Sequence, residues 1–222
     1  MVEILETVTS LKMENVSGGF DCGLDNYGTM RDTLGHFNYQ FSSGIYLVEG
    51  ECATGGWALS TILSGKDKSF EGKIVLNDKE VTYDKLLQNS CYVGENVGLK
   101  KFGFVPMTVK EQIEYGINKG LSFSNDIEDI RQKFGLSSER FNRDFRHISG
   151  ERWRASMAIG YALGKKVYCF PWINSRFLFS HDSNLKLCLS SLILVGAIVI
   201  IPTTYANALD GIVKEYTVVS LK

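Results

Sequence analysis

Gly44-Ile-Tyr-Leu-Val-Glu-Gly50-Glu-Cys-Ala-Thr-Gly55-Gly56-Trp57-Ala-Leu-Ser-Thr-Ile-Leu63 decides how the rest of this 222-residue chain is read. Branched and aromatic residues over 44–48 predict a strand, the glycines break it, and a segment of helical character follows. Phosphate-cradling loops form where a strand meets a helix at a glycine-rich turn, because backbone N–H groups there converge on an anion. Gly50 and Gly55 are spaced as in the pattern Gly-x-x-x-x-Gly-Lys-[Ser/Thr]. Gly56 stands where the Lys belongs and Trp57 where the hydroxyl belongs. Taken alone the match is weak, and a plain strand-to-helix turn fits the same residues.

Working outward, Lys166-Val-Tyr-Cys-Phe170 and Ala197-Ile-Val-Ile-Ile201 repeat the pattern of a short apolar strand, a break and a helical segment. That alternation predicts a parallel sheet, an α/β architecture. The run Leu192–Ile201 is too short for a membrane span, which needs roughly 20 apolar residues. It reads instead as a buried parallel strand stopped by Pro202. Lys12 to Phe41 and Gly72 to Val81 alternate apolar and polar residues between turns, predicting an antiparallel portion. From Thr108 to Gly164 the period becomes helical: Thr108 with Glu111 forms a capping box, and Ile127, Ile130 and Phe134 share one face ending at Gly135. No repeat or linker interrupts the chain. A single domain is expected over 1–222, with a core and antiparallel β portion over about 1–95 and 165–222 and a helical insertion over about 96–164.

With 24 Lys+Arg against 25 Asp+Glu, the formal charge is −1. That balance argues against a charge-driven nucleic-acid binder or a polybasic membrane-surface protein. Cys22, Cys52, Cys91, Cys169 and Cys188 are odd in number and without paired spacing, so reduced thiols are expected and neither a disulfide framework nor a metal site is. The start, Met1-Val-Glu-Ile-Leu-Glu-Thr, has no signal-peptide character, which points to the cytoplasm.

The order of the segments resembles the nucleotide-binding subunit of an ABC transporter along nearly the whole chain. Asn38 to Glu51 resembles the strand leading into that family's Walker A loop, and Phe70 to Val81 its Gly-Lys-Ile hairpin. Cys91-Tyr-Val-Gly-Glu95-Asn falls at the Q-loop, with Glu95 in place of Gln. Phe104 to Gly116 is similar to the opening of the helical subdomain, and Ile148-Ser149-Gly150-Glu151 resembles the signature motif, one Gly short. The resemblance implies a P-loop NTPase-like core with a mainly parallel sheet, an antiparallel β subdomain and an inserted helical subdomain.

Carried over residue by residue, the family's catalytic groups are not found at their places. Its metal-supporting Asp and water-polarising Glu fall at Pro171 and Trp172, its switch His at Thr204, and its D-loop Asp is missing from Ile173-Asn-Ser-Arg-Phe-Leu178. The nearby pair His181 and Asp182 reads as a solvated loop. Phosphoryl transfer depends on positioning and charge neutralisation, and losing one preorganised group typically costs about 2.7–4 kcal/mol of barrier. Hydrolysis in the chain's own loop is therefore not expected, nor is Mg²⁺ binding there.

If ATP binding is retained, the resemblance assigns it to Phe20, stacked on adenine, and to the loop Gly50, Glu51, Cys52, Ala53, Thr54, Gly55, Gly56, Trp57 and Ala58. Backbone N–H groups from Gly50 to Gly56 would attract the anion, while Trp57 would fill part of the cavity; the expected ATP binding is weak, or in trans. Family subunits pair head to tail, so Ser149 and its turn would face a partner's ATP; Ser149 reads equally as a helix N-cap. The implied partners are an intact ATPase subunit, in a heterodimer, and a multi-span permease that holds the chain at the inner face of the membrane. The alternatives are a slow ATPase using Glu95 or Glu51, and a regulatory or structural module without a transport role.

Overall fold

The computed structural model describes residues 8–24, 28–179 and 182–221. In chain order its elements are β1 (Ser10–Leu24), β2 (Gly28–Ser42), β3 (Gly44–Glu49), α1 (Gly56–Leu63), β4 (Phe70–Leu76), β5 (Lys79–Glu80), α2 (Tyr83–Asn89) and β6 (Ser90–Tyr92). Next come β7 (Lys100–Lys101), β8 (Val105–Pro106), α3 (Val109–Asn118), α4 (Ile127–Lys133), α5 (Ser138–Phe141), α6 (Arg152–Ala162) and β9 (Val167–Cys169). The chain closes with α7 (Ser175–Phe179), α8 (Asp182–Leu194), β10 (Ile198–Thr203) and β11 (Thr217–Ser220).

Two sheets organise the molecule. A parallel sheet runs β11-β3-β10-β9-β6, and an antiparallel sheet runs β2-β1-β4-β5. The parallel strands read as unbroken apolar runs because both of their faces are covered. Tyr46, Val48, Ile198, Ile200, Val167 and Cys169 face one way, toward α1 and the antiparallel sheet. Ile45, Leu47, Val199, Ile201 and Tyr168 face the other way, toward α3, α4, α6 and α8. Successive residues of β3, β9 and β10 thus supply two cores from one sheet. The expected α/β class, with its antiparallel and helical portions, is the one observed.

Local chemistry accounts for several elements. Asn77 and Asp78, both at positive φ (47° and 65°), make the two-residue turn between β4 and β5 that a hairpin's twist favours. The Thr108 hydroxyl accepts from the Glu111 amide at 3.3 Å, and the Glu111 carboxylate accepts from the Thr108 amide at 2.9 Å. That reciprocal pair is the expected capping box at the start of α3. Asp126 caps α4, and Gly135, at φ 58°, turns the chain away after it.

The apolar run Leu192–Ile201 is not one strand. Leu192–Leu194 end α8, the chain turns at Gly196 (φ 71°), and β10 begins only at Ile198. Nor does Pro202 stop the strand, which continues to Thr203 with Pro202 opposite Val48. Pro202 has no N–H to donate toward the neighbouring strand, but its carbonyl still accepts from the Ile173 amide at 3.0 Å and the pairing runs on past it. Among the described residues, no helix is long and apolar enough to cross a membrane.

Candidate functional site

The glycine-rich loop leaves the end of β3 and enters α1 at Gly56, with Gly55 as N-cap in a left-handed conformation (φ 105°). The loop is closed on itself. The Gly50 amide donates to the Thr203 carbonyl at 2.9 Å and the Thr54 amide to the Glu51 carbonyl at 3.2 Å. The Thr54 hydroxyl turns inward to that same carbonyl, at 2.7 Å. Ala53 takes a positive φ of 69° to make this turn, an uncommon conformation for a residue with a side chain.

The start of α1 has a partner that no motif predicts. Asp32 of β2 is fully buried, and its carboxylate accepts from the Gly55 amide at 2.8 Å and from the Ala58 amide at 2.8 Å. A Cβ on Gly55 would lie 3.0 Å from the Leu34 Cα and from the Thr33 carbonyl, so only glycine lets β2 approach this closely. Of the amides from Gly50 to Gly56 expected to attract an anion, those of Gly50, Thr54 and Gly55 have acceptors within the protein. Met30, Asp32 and Leu34 fall at alternate positions of β2, and a charge between two apolar residues on one strand face was the signal available in the sequence.

Two tryptophans cover the loop. Trp172 donates from its indole nitrogen to the Gly50 carbonyl at 2.9 Å. Its ring centroid lies 5.2 Å from that of Trp57, with the planes tilted by 49°. Gly56 is buried beneath Trp172: a Cβ there would lie 2.8 Å from Trp172 Cδ1 and 3.0 Å from Pro202 Cβ. The position that holds a lysine in the phosphate-loop pattern has no room for one. Trp57 packs at a tilt against Trp172, whereas the acceptor at the Gly55 and Ala58 amides is Asp32.

At the strand ends, Pro171 is half-buried, and the buried Ser175 hydroxyl lies 3.0 Å from the Thr203 hydroxyl and accepts from the Tyr205 amide at 3.0 Å. The Thr204 hydroxyl oxygen is buried without a hydrogen-bond partner. Glu49 accepts from the Ala206 amide at 3.0 Å. Glu51, Cys52 and Thr54 are exposed. Glu95 is exposed and ion-paired with Lys66, whose ammonium also sits 4.4 Å from the centroid of the Tyr92 ring. Phe20 lies opposite Asp32 in the β1–β2 register and packs against the core between the two sheets. His181 and the Asp182 side chain lie outside what is described.

The Ser149–Glu151 segment forms a single 3₁₀ turn ahead of α6, and Ile148 before it is buried. Ser149 and Gly150 are exposed and line a cavity of about 220 Å³ with Arg152, Arg154, Met157 and Asn184. Ser149 caps neither the turn nor the helix, whose N-cap is Glu151, so the N-cap reading of Ser149 is corrected. Glu151 points inward at 5% exposure. It accepts from the Ser137 amide at 3.1 Å and lies 3.5 Å from Arg154 and 3.7 Å from Arg140. Such partners offset the cost of burying a carboxylate. The helix behind the turn is tied to the 90–95 segment, since the Gly94 amide donates to the Ser156 hydroxyl at 2.8 Å. Trp153 packs edge-on to Phe170 at 5.7 Å.

A magnesium nucleotide needs a cation for its phosphates, oxygen ligands for the metal and free amides around the anion. At this loop Gly56 supplies no ammonium, Pro171 and Trp172 supply no carboxylate, and the Gly55 and Ala58 amides are held by Asp32. Among the described residues there is no cluster of three or more His, Cys, Asp or Glu side chains placed to hold a metal ion.

No protein-family model and no curated protein matches the sequence. Solved structures do match. cbiO1 from Clostridium perfringens, part of the ABC transporter complex cbiONQ, aligns with a TM-score of 0.62 at 16% identity, covering 96% of this chain and 85% of that one. An ATP-binding subunit of an ABC transporter aligns at 0.64 and 16% identity, over 96% of this chain and 86% of that one. An ATP-binding cassette in a post-hydrolysis state bound to ADP and Pi aligns at 0.61 and 14% identity, over 89% of each. Two sheets, a loop entering α1 and a helical portion between β6 and β9 together give this chain the fold of the ATP-binding subunits of ABC transporters.

Proposed function

We propose that this chain is an ABC-transporter ATP-binding-like subunit whose own catalytic site is degenerate, and that it pairs with a competent ATPase subunit and a membrane permease. The observation that carries the reading is the space at Gly56. Trp172 and Pro202 fill the volume a phosphate-binding lysine would need, on a fold that cbiO1, a component of a transporter complex, shares. Domain limits of about 1–95 and 165–222 for the core and about 96–164 for the helical insertion belong to the same proposal.

In the heterodimer the Ser149–Gly150 turn is the contributing surface. Its exposed hydroxyl and backbone, flanked by the exposed Arg152, suit contact with a phosphate held by the partner's loop. ATP then belongs to the interface, in trans, and Mg²⁺ to the partner. The chain lies at the inner face of the membrane through the permease. A slow ATPase using Glu95 or Glu51 has less support, because the Glu95 carboxylate is ion-paired with Lys66 and the loop beside Glu51 carries Gly56 where the pattern has a lysine.

The test is expression with its neighbouring reading frames. The chain is expected to co-purify with an intact ATPase and a multi-span protein, and alone to show no Mg²⁺-dependent ATP turnover above background. Robust turnover by the isolated chain, abolished by substitutions within Gly50–Trp57, would overturn the proposal. Isolation with neither partner would favour the non-transport module.

A further inference from the structure

We infer that the glycine-rich loop carries its own permanent anion, the Asp32 carboxylate, and is closed to phosphate for that reason as well as for want of a lysine.

The inference rests on where the carboxylate sits. Helix N-termini hold anions because their first N–H groups have no partner within the helix and the helix dipole is positive there. At α1 those groups include the Gly55 and Ala58 amides, and Asp32 accepts from both at 2.8 Å, one oxygen to each. The carboxylate thus bridges the last loop residue and the first turn of the helix, as an incoming phosphate would. It reaches them from β2, which packs directly on the loop at Leu34 and Thr33 through the missing side chain of Gly55. At 0% exposure it has no solvent to turn to. Moving it aside would leave a charge buried without a partner. A phosphate placed beside it would meet a like charge in a site of low dielectric.

The arrangement also explains the missing cation. An ammonium in a phosphate loop neutralises a multiply charged ligand that comes and goes. Here the anion is singly charged and covalently part of the chain, and two amides with the helix dipole answer it. This holds whether or not the chain pairs with an ATPase, so it stands or falls separately from the proposed transport role.

Thermal unfolding of the full chain and of Asp32→Ala, in chloride and in acetate, formate or pyrophosphate at matched ionic strength, tests the inference. Amide hydrogen exchange at Gly55 and Ala58 of the unaltered chain is followed with and without ADP. The unaltered chain is expected to differ among the four anions only by each salt's general effect on burial, read from a reference protein without an anion site, and to exchange these amides at the same rate with ADP. Asp32→Ala is expected to unfold at least about 5 °C lower in chloride and to recover part of that loss in one or more of the other anions, which take up the vacated place. Should Asp32→Ala not fold in chloride, its refolding yield in acetate replaces the unfolding temperature, and a gain over chloride is expected. A rise in the unaltered chain's unfolding temperature in pyrophosphate beyond that of the reference protein, slowed exchange of its two amides with ADP, or a gain by Asp32→Ala no larger than that of the unaltered chain in all three anions would each overturn the inference.

Discussion

Trp172 and Gly50 are 122 positions apart in sequence and joined by a hydrogen bond of 2.9 Å from the indole nitrogen to the carbonyl oxygen. The bond fixes the ring over Gly56, where even a Cβ would lie 2.8 Å from it. Aromatic cover and glycine are therefore one feature, and replacing either residue alone is felt by the other.

Gly56→Lys consequently cannot restore a phosphate site. The inserted side chain meets Trp172 and the Pro202 ring, so a loss of about 1–3 kcal/mol is expected, as for other overpacked interiors. Urea unfolding measures it. The double variant with Trp172→Gly should be less destabilised than the two single changes summed, and strictly additive effects would show that the two positions do not share this space.

Ser149 separates stability from assembly. It is exposed and caps neither the 3₁₀ turn nor α6, so Ser149→Arg should leave the isolated chain within about 0.5 kcal/mol of its original stability. In a reconstituted complex the same change is expected to cut ATP turnover several-fold. Unchanged turnover there would remove this turn from the shared site.

Glu111 gives a pH test of the α3 start. The hydrogen bond from Lys101, followed by that from the Thr108 amide, holds its carboxyl below the usual range. A lowered folded-state value means stabilisation that is present above the unfolded value, near 4.5, and lost as pH falls through the folded one. Glu111→Gln keeps the capping geometry and removes the charge. The stability difference between the two chains should be constant near neutral pH and shrink below about pH 4.5; a difference independent of pH would show that the charge contributes nothing.

Lys165 acts in the opposite range. It is 8% exposed, and its ammonium donates to the Leu87 and Gln88 carbonyls at 2.6 and 2.8 Å, at the end of α2. Burial lowers its pKa to about 8 from 10.5. Between those values the unfolded chain binds more protons than the folded one, so stability rises with pH. Lys165→Met should cost about 1–3 kcal/mol at neutral pH through the two orphaned carbonyls, and the gap should widen from pH 8 toward 10. A constant gap would mean that the folded-state lysine stays charged throughout.

The architecture was legible because its signals are local. Strands buried on both faces read as continuous apolar runs, Thr108 and Glu111 announce a helix start three residues apart, and Asn77-Asp78 turns a hairpin within two residues. The boundary at 192–201 was not legible, since an apolar helix end and a buried strand have the same composition, and only the turn at Gly196 divides them. Pro202 misled for a related reason: a proline gives up one donor but keeps its carbonyl, and the parallel pairing of β10 with β3 runs through it to Thr203.

By itself the sequence determined the α/β class and the order of its parts, because periodicity, caps and motif spacing are properties of neighbours along the chain. Only the tertiary structure decided what meets at the glycine-rich loop. Asp32 lies 23 residues before Gly55 and Trp172 lies 122 after Gly50, and neither spacing belongs to a helix or a strand. Their meeting depends on β2 packing against the loop and on β9 emerging beside β10. A buried carboxylate on two amides is a relation between sheets, and it is visible only once the sheets are packed.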